Sequence, residues 1–184
     1  MNRTLYLKEK AFQNGKNPNN HTEQKFWVNK AILENPDEFA HNIKRAKIDC
    51  VLFDNYSIEI DKRELLVGRY SHSFKASIKQ KAANLKGTAF RGSNSIYSGA
   101  RLGETGHRVL DYEKLLNIGI KGILAEVESH LEELDHSKPE ACEKKAFYLS
   151  VKISLEGVCR FAKRYYETLT ALYLKELNPV RKEE

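Results

Sequence analysis

The chain has 184 residues, of which 41% are apolar and 30% are charged. This composition excludes a disordered protein and predicts a globular fold of one domain, or part of one, with a modest core. The net charge of +6 is uneven, because nine basic residues and one acidic residue, Glu64, occur between Lys62 and Arg101. A cationic strip of this kind either binds phosphate or nucleic acid, or is a solvated segment that packs against acidic surface elsewhere.

The cysteine pattern and the termini bear on where the protein works. Cys50, Cys142 and Cys159 are odd in number and widely spaced, so they predict neither a disulfide framework nor a metal site. The N-terminus lacks the apolar stretch of a signal peptide, and no apolar run is long enough to cross a membrane. We therefore expect a cytoplasmic protein with no metal and no cofactor held by this chain.

Residues 1–70 predict short helices followed by a short β-hairpin. The helices are expected over Thr4–Phe12, from Thr22 to a break at Asn35–Asp37, and over a third stretch in which Ala46 and Cys50 share a buried face. Cys50 is expected there as a small buried apolar residue.

The hairpin follows from a change of period. Tyr56–Ile60 alternates as a strand does, Asp61–Glu64 can turn, and Leu65–Val67 can return as the partner strand. Gly68 ends this unit. Residues 71–110 then form a basic region punctuated by glycines, and a loop of that length is functional, disordered, or lacks partner structure.

Residues 111–178 predict a long antiparallel helix pair. Asp111 is the natural N-cap of the first helix. The apolar residues of that helix fall on one face, namely Leu116, Ile120, Ile123, Val127, Leu131 and Leu134. Gly119 and Gly122 each cost about 1 kcal/mol relative to alanine, so we expect this helix to be pressed against a neighbouring backbone.

The second helix of the pair is predicted from Pro139 to about Leu177, which gives a length of about 60 Å. Its apolar face carries Phe147, Val151, Leu155, Val158, Ala162, Tyr165, Leu169 and Leu172. A helix of this length exceeds what a domain of this size needs. Much of the apolar surface of the pair is therefore expected to meet partners beyond this chain.

Three blocks of the sequence resemble the N-terminal part of the glycyl radical enzymes, in particular the pyruvate formate-lyase-like lyases and dehydratases. Arg45-Ala46 with Glu64–Gly68 is similar to the family's "RRA…DGELIVG" region. Thr105–Ile123 is similar to its "GH…DYEKVLKKGLKGI" block, and Phe147–Tyr166 is similar to its "FYKA…A…FAKRYAE" helix. The resemblance is specific from about Thr105 onward.

The resemblance implies a fold and a chemistry. Members of the family are several times longer and fold as a ten-stranded α/β barrel wrapped by helices. They store a radical on a glycine in an Arg-Val-x-Gly-aromatic motif, where a radical S-adenosylmethionine activating enzyme installs it, and they pass it to a cysteine in a Gly-Cys-x-Glu-type loop. Neither motif is present in this sequence. No catalytic residue is therefore assigned, and whether the chain is itself an enzyme is left open.

The resemblance also implies two substrate-binding residues. His107 matches the family histidine that contacts a substrate hydroxyl and can assist its departure. The alternative is that His107 bonds a backbone group and fixes the loop. Asp111 neighbours the substrate in amine-binding members, although N-capping accounts for it without any site.

Three hypotheses follow for function. In the first, residues 1–184 are a partial pyruvate formate-lyase-like N-terminal domain of an anaerobic lyase, dehydratase or formate acetyltransferase, inert alone and contributing scaffold and one wall of the substrate site. In the second, the chain pairs in trans with a separate barrel chain, or with itself. In the third, it is a stand-alone basic helical binding module, with nucleic acid as the candidate ligand.

Overall fold

The computed structural model describes residues 2–16, 22–34, 40–68 and 110–183. Within these ranges the chain is mainly helical, as predicted, and contains no strand. The helices are α1 (Arg3–Lys16), α2 (Thr22–Glu34), α3 (His41–Asn55), α4 (Tyr112–Glu132), α5 (Ala141–Lys175) and α6 (Pro179–Glu183). The predicted loop region at 71–110 lies outside the described residues, except for Leu110.

Helix α5 is the element on which the others assemble. It packs along α3 and, through a second stretch, against α4, while α2 packs on α3. A small core forms between α2 and α3 from Val28, Ala31, Ile32 and Ile48. Part of the apolar surface of α5 lacks cover in this structure, since Phe147 and Leu172 are each about half exposed.

Helices α3 and α5 lie close together at Gly157. A Cβ atom placed on Gly157 would lie 2.7 Å from Cys50 Sγ and 3.0 Å from Phe53 Cδ2. The buried Cys50 donates its S–H to the Ile153 carbonyl, with a sulfur–oxygen distance of 3.1 Å. Burial raises the pKa of the Cys50 thiol. The prediction that Cys50 is buried is confirmed, and the structure adds that its sulfur is a contact between two helices.

The contact between α4 and α5 pairs residues whose numbers run in opposite directions. Lys152 Nζ lies 2.7 Å from Glu128 Oε1. The rings of His130 and Tyr148 stack with centroids 5.3 Å apart and an interplanar angle of 15°. The turn between the helices is thus closed by an ion pair and an aromatic contact.

The predicted hairpin over Tyr56–Val67 is wrong. Its backbone amides find carboxylates instead of a partner strand, because Ser57 N donates to Glu23 Oε1 (2.8 Å) and Asp61 N donates to Glu64 Oε2 (3.0 Å). A buried glutamate on α2 and a local turn therefore satisfy groups that a β-ladder would have used.

The predicted helix after Asp111 is present, as α4, but it is not continuous through Gly119. Gly119 has φ 64° and ψ 178°, a conformation almost confined to glycine, and it bends α4 sharply. Leu116 is 82% exposed, whereas Val127, beyond the bend, is buried. The apolar face predicted from the spacing is therefore interrupted.

The two glycines of α4 lie at the bend. Among the described residues, a Cβ atom on Gly119 would meet nothing within 4 Å, and the backbone conformation of Gly119 itself favours glycine. A Cβ atom on Gly122 would lie 2.6 Å from Ile118 Cβ, because the bend folds Ile118 over it. The close approach of another backbone to these glycines stays a prediction.

Candidate functional site

Only part of the predicted substrate site falls within the described residues. His107 lies outside them, as does the basic strip after Gly68. Asp111 is described and caps α4, since its Oδ1 accepts a hydrogen bond from Lys114 N at 3.0 Å. The prediction of an N-cap is confirmed, and the substrate-binding role of both residues stays a prediction.

The bend at Gly119 determines where this capped turn is held. Lys114 and Glu126 form an ion pair although they are twelve residues apart, a separation that would place them about 18 Å apart along a straight helix. The first turns of α4 are folded back, with Leu110 and Tyr112 largely exposed beside Asp111. The described start of this region, Leu110–Tyr112, thus presents a carboxylate and apolar groups on the surface.

A second stretch, Tyr56–Gly68, is fixed to the helices at several points. Arg164 on α5 donates from Nη1 to Phe53 O (2.5 Å) and from Nη2 to Tyr56 O (2.7 Å). Its planar fork thereby satisfies carbonyls that the end of α3 leaves without helical partners. Glu23 receives the Ser57 amide and hydroxyl on the same oxygen, at 2.8 and 2.7 Å.

Asp61 anchors the middle of this stretch to α1. Its carboxylate accepts hydrogen bonds from Lys10 Nζ, from the Arg63 amide (2.9 Å) and from the Tyr6 hydroxyl (3.1 Å). Burial of Asp61 opposes ionisation, but these donors outweigh it and lower the pKa of the carboxyl to about 2. The Arg63 guanidinium stacks on the Tyr6 ring, 4.1 Å from its centroid.

The far end of the stretch is tied to α6. Arg181 Nη2 donates to Glu64 O at 2.9 Å. Between this contact and the last turns of α5 lies an open groove of about 700 Å³, which we call the α5–α6 groove. Its walls carry Leu65 and Val67 on one side and Tyr166, Leu169 and Tyr173 on the other.

Sequence reasoning missed the residues that hold this stretch in place. Arg164 lies in the Phe161–Tyr166 block that carried the family resemblance, and its place there was the available signal. Glu23 gave no signal, because a glutamate in the first turn of a helix is ordinary. In the described part of the chain, no three His, Cys, Asp or Glu residues are grouped as metal ligands would be. The same residues include no helix long and apolar enough to span a membrane.

Comparison with known proteins gives the family. A family model described as "Pyruvate formate lyase-like" matches residues 78–184, more than half of the chain. The chain belongs to this family. It is therefore related to the glycyl radical enzymes, as the sequence blocks predicted.

Two relatives show how much of such a protein this chain represents. Over 88 residues it is 34% identical to a (2S)-3-sulfopropanediol dehydratase of Klebsiella oxytoca, covering 48% of this chain and 10% of the relative. Its fold matches the glycerol-bound form of the B12-independent glycerol dehydratase from Clostridium butyricum with a TM-score of 0.70 and 20% identity. That match covers 88% of this chain and 27% of the solved one. The chain thus spans about a tenth and about a quarter of these two relatives.

Proposed function

We propose that this chain is the N-terminal helical portion of a glycyl radical lyase or dehydratase, as a fragment or a split subunit, and that it is not catalytic alone. The observation that carries the proposal is the fold match, which takes in most of this chain and only 27% of the glycerol dehydratase. The sequence also lacks the glycine and cysteine motifs on which the family's radical chemistry depends. What remains for these residues is scaffold and one wall of the substrate site.

The apolar surface left uncovered on the described residues supports this role. Leu66, Leu116, Leu174 and Leu177 are each more than 70% exposed. Covering such side chains stabilises a complex by about 1.5–3 kcal/mol for each one that becomes fully buried. In our proposal the barrel supplies that cover, either on the same polypeptide or on a partner chain.

The proposed reaction is loss of water from a small hydroxylated substrate. Both relatives are dehydratases of compounds with adjacent hydroxyl groups, as their names state. The family's glycyl radical, when installed, supplies the step that activates a carbon–hydrogen bond. The His107 imidazole of this chain is proposed to bind a substrate hydroxyl and to give it a proton, so that the carbon–oxygen bond breaks and water leaves.

Two features of α4 support this proposal for the wall. Asp111 caps α4, and the Gly119 bend holds that capped turn folded back toward the body of the helix. Because His107 precedes Asp111 by four residues, the cap fixes one end of the segment that carries the imidazole. Asp111 itself is proposed to lie near the substrate, with its hydrogen bond to Lys114 N as its structural role.

The test uses this chain together with the polypeptide that carries the cysteine and glycine motifs, sought first in the adjacent reading frame. After treatment with an activating enzyme, the 184-residue chain alone should give no glycyl radical signal by electron spin resonance. The combined protein should give the signal and turn over a small diol. A radical and turnover from this chain alone, or failure of the two polypeptides to associate, would refute the proposal.

A pair of variants tests the wall. His107→Ala in the combined protein should keep the radical signal and lose turnover by about 10²-fold or more, the usual contribution of a general acid. His136→Ala, at an exposed turn position, is the matched control and should change neither. Equal turnover by the two variants would remove His107 from the site.

A further inference from the structure

The α5–α6 groove carries apolar side chains on a surface that the described residues leave open. Tyr166, Leu169 and Tyr173 are spaced three and four residues apart, so they share one face of α5. All three are exposed, and Leu65 on the facing wall is 55% exposed. An exposed apolar patch with this regular spacing marks a binding surface.

The dimensions of the groove fit a helix. From Tyr166 to Glu176 the wall of α5 is about 15 Å long, or about three helical turns. A helix is about 10–12 Å across with its side chains, so a groove of about 700 Å³ accommodates one face of a helix of that length. Anchoring side chains at positions i, i+3 or i+4, and i+7 are the usual way in which a helix occupies such a groove.

The unpaired charge of the groove is positive. Lys62 and Lys175 line it, are exposed, and form no ion pair with the residues that the structure describes. Lys182 lies over the Tyr173 ring, with Nζ 5.1 Å from the centroid.

The two carboxylates that line the groove are used within the chain. Glu64 Oε2 accepts from the Asp61 amide (3.0 Å). Glu176 Oε1 accepts from the amides of Leu177 (3.0 Å) and Asn178 (2.9 Å). Neutral amides leave both carboxylates charged, but four basic residues line the groove against these two acids, namely Lys62, Lys175, Arg181 and Lys182. The groove therefore carries net positive charge, which selects an acidic partner.

We propose that the α5–α6 groove receives an amphipathic helix with acidic flanks, contributed by the polypeptide that completes the enzyme. This inference rests on the proposed function, since that polypeptide is the partner it names. The apolar face of the incoming helix packs between Leu65 and Tyr173, and its acidic residues meet Lys62 and Lys175. The apolar contact supplies most of the affinity. The lysines make the groove prefer an acidic helix and set the orientation in which that helix binds.

The experiment measures binding of synthetic helical peptides to the full 184-residue chain. One 15-residue peptide carries leucines at i, i+4, i+7 and i+11 with glutamates beside them. A second carries lysines in place of the glutamates, and a third is a scramble of the first. The acidic peptide should bind at least about tenfold more tightly than either of the others at 50 mM salt, and the preference should shrink at 300 mM because exposed charges are screened.

Variants of the groove locate the site. Lys62→Glu with Lys175→Glu should weaken the acidic peptide by about tenfold, since each exposed ion pair changes affinity by up to about fivefold. Leu169→Asn with Tyr173→Ser should weaken all three peptides. The matched control is Lys121→Glu with Lys145→Glu, which reverses two exposed lysines away from the groove and should change nothing. Circular dichroism establishes that each variant keeps its helices. If a variant unfolds, the comparison of the three peptides on the unaltered chain decides whether the groove prefers an acidic helix.

Several results would overturn the inference. The first is equal binding of the acidic and lysine peptides, and the second is an acidic peptide whose binding the groove variants leave unchanged. A third is self-association of the chain that Leu169→Asn with Tyr173→Ser abolishes, which would make a second copy the occupant. If turnover is restored by the barrel polypeptide while no acidic peptide binds, this inference alone falls. If the acidic peptide binds but no radical protein can be assembled, the proposed function falls and the binding surface stands.

Discussion

The crossing of α3 and α5 allows a quantitative prediction at Gly157. On a free helix, Gly→Ala stabilises by about 1 kcal/mol. Here the new methyl group would lie 2.7 Å from Cys50 Sγ and 3.0 Å from Phe53 Cδ2. Overpacking of this kind costs about 1–3 kcal/mol, and movement of the sulfur would also weaken its hydrogen bond to Ile153 O. We expect Gly157→Ala to lower the free energy of unfolding by about 1 kcal/mol net.

A double-mutant cycle isolates the contact. Cys50→Ala removes the sulfur, so Gly157→Ala made in that background should be neutral or slightly stabilising. The assay is urea unfolding followed by circular dichroism at 222 nm for the four proteins. The control compares Lys163→Gly with Lys163→Ala at an exposed position of α5, where alanine should be favoured by about 1 kcal/mol.

The outcome that would refute this reasoning is specific. If Gly157→Ala stabilises the chain as much as glycine-to-alanine replacement does at position 163, the helices do not approach closely at this point. If Gly157→Ala destabilises equally with and without the Cys50 sulfur, the cost comes from another contact. The first result would remove the packing argument for the α3–α5 pair, and the second would assign the cost to Phe53, 3.0 Å from the new methyl group, and not to the sulfur.

Three further predictions concern the Tyr56–Gly68 stretch and the bend at Gly119. Because the folded pKa of Asp61 (about 2) lies below its ordinary 3.8, its ionised carboxylate stabilises the fold above about pH 4, and this stabilisation is lost as the pH falls toward 2. Asp61→Asn should therefore cost about 2 kcal/mol at pH 6 and about 0.8 kcal/mol at pH 2.5 in urea unfolding. A cost independent of pH would contradict the assignment. Arg164→Lys should lower the free energy of unfolding by about 1–2 kcal/mol, because one ammonium cannot bind both the Phe53 and the Tyr56 carbonyls. The control, Arg160→Lys in the exposed pair with Asp54, should cost under about 1 kcal/mol. Equal costs would count against the role of Arg164 in holding the Tyr56–Gly68 stretch. Gly119→Ala should either lower the free energy of unfolding by about 1–3 kcal/mol or straighten α4. A straightened helix would lengthen the distance between spin labels at exposed positions 113 and 125. No change in stability or in this distance would show that glycine is not required.

The helices of this protein were largely predictable because helical signals are local. The cap at Asp111, the buried face with Ala46 and Cys50, and the long helix ending near Asn178-Pro179 follow from residues within a few positions of each other. The family was equally legible, since the block over Thr105–Ile123 and the Phe161–Tyr166 block stand in the sequence in full. These features depend on residue type and spacing alone.

The hairpin that is absent and the bend that was not predicted both depend on something other than local spacing. Tyr56–Val67 alternates as a strand does, yet its amides are taken by Glu23, which lies more than thirty residues earlier in the chain. The spacing of apolar residues across Gly119 is helical, but one backbone conformation interrupts it. The spacing of apolar residues indicates which residues share a face. It cannot indicate that a carboxylate on another helix will bind the backbone amides of the segment.

By itself, the sequence determined the helical class, the family and the absence of radical motifs. Each of these depends only on the spacing of nearby residues or on contiguous blocks of sequence. Only the tertiary structure decided how the Tyr56–Gly68 stretch is held and where α3 and α5 touch. It also brought two exposed lysines to an apolar groove between α5 and α6. Lys62 and Lys175 are more than a hundred positions apart in the chain. Their common surface exists only after α6 has folded back and Arg181 has bonded Glu64.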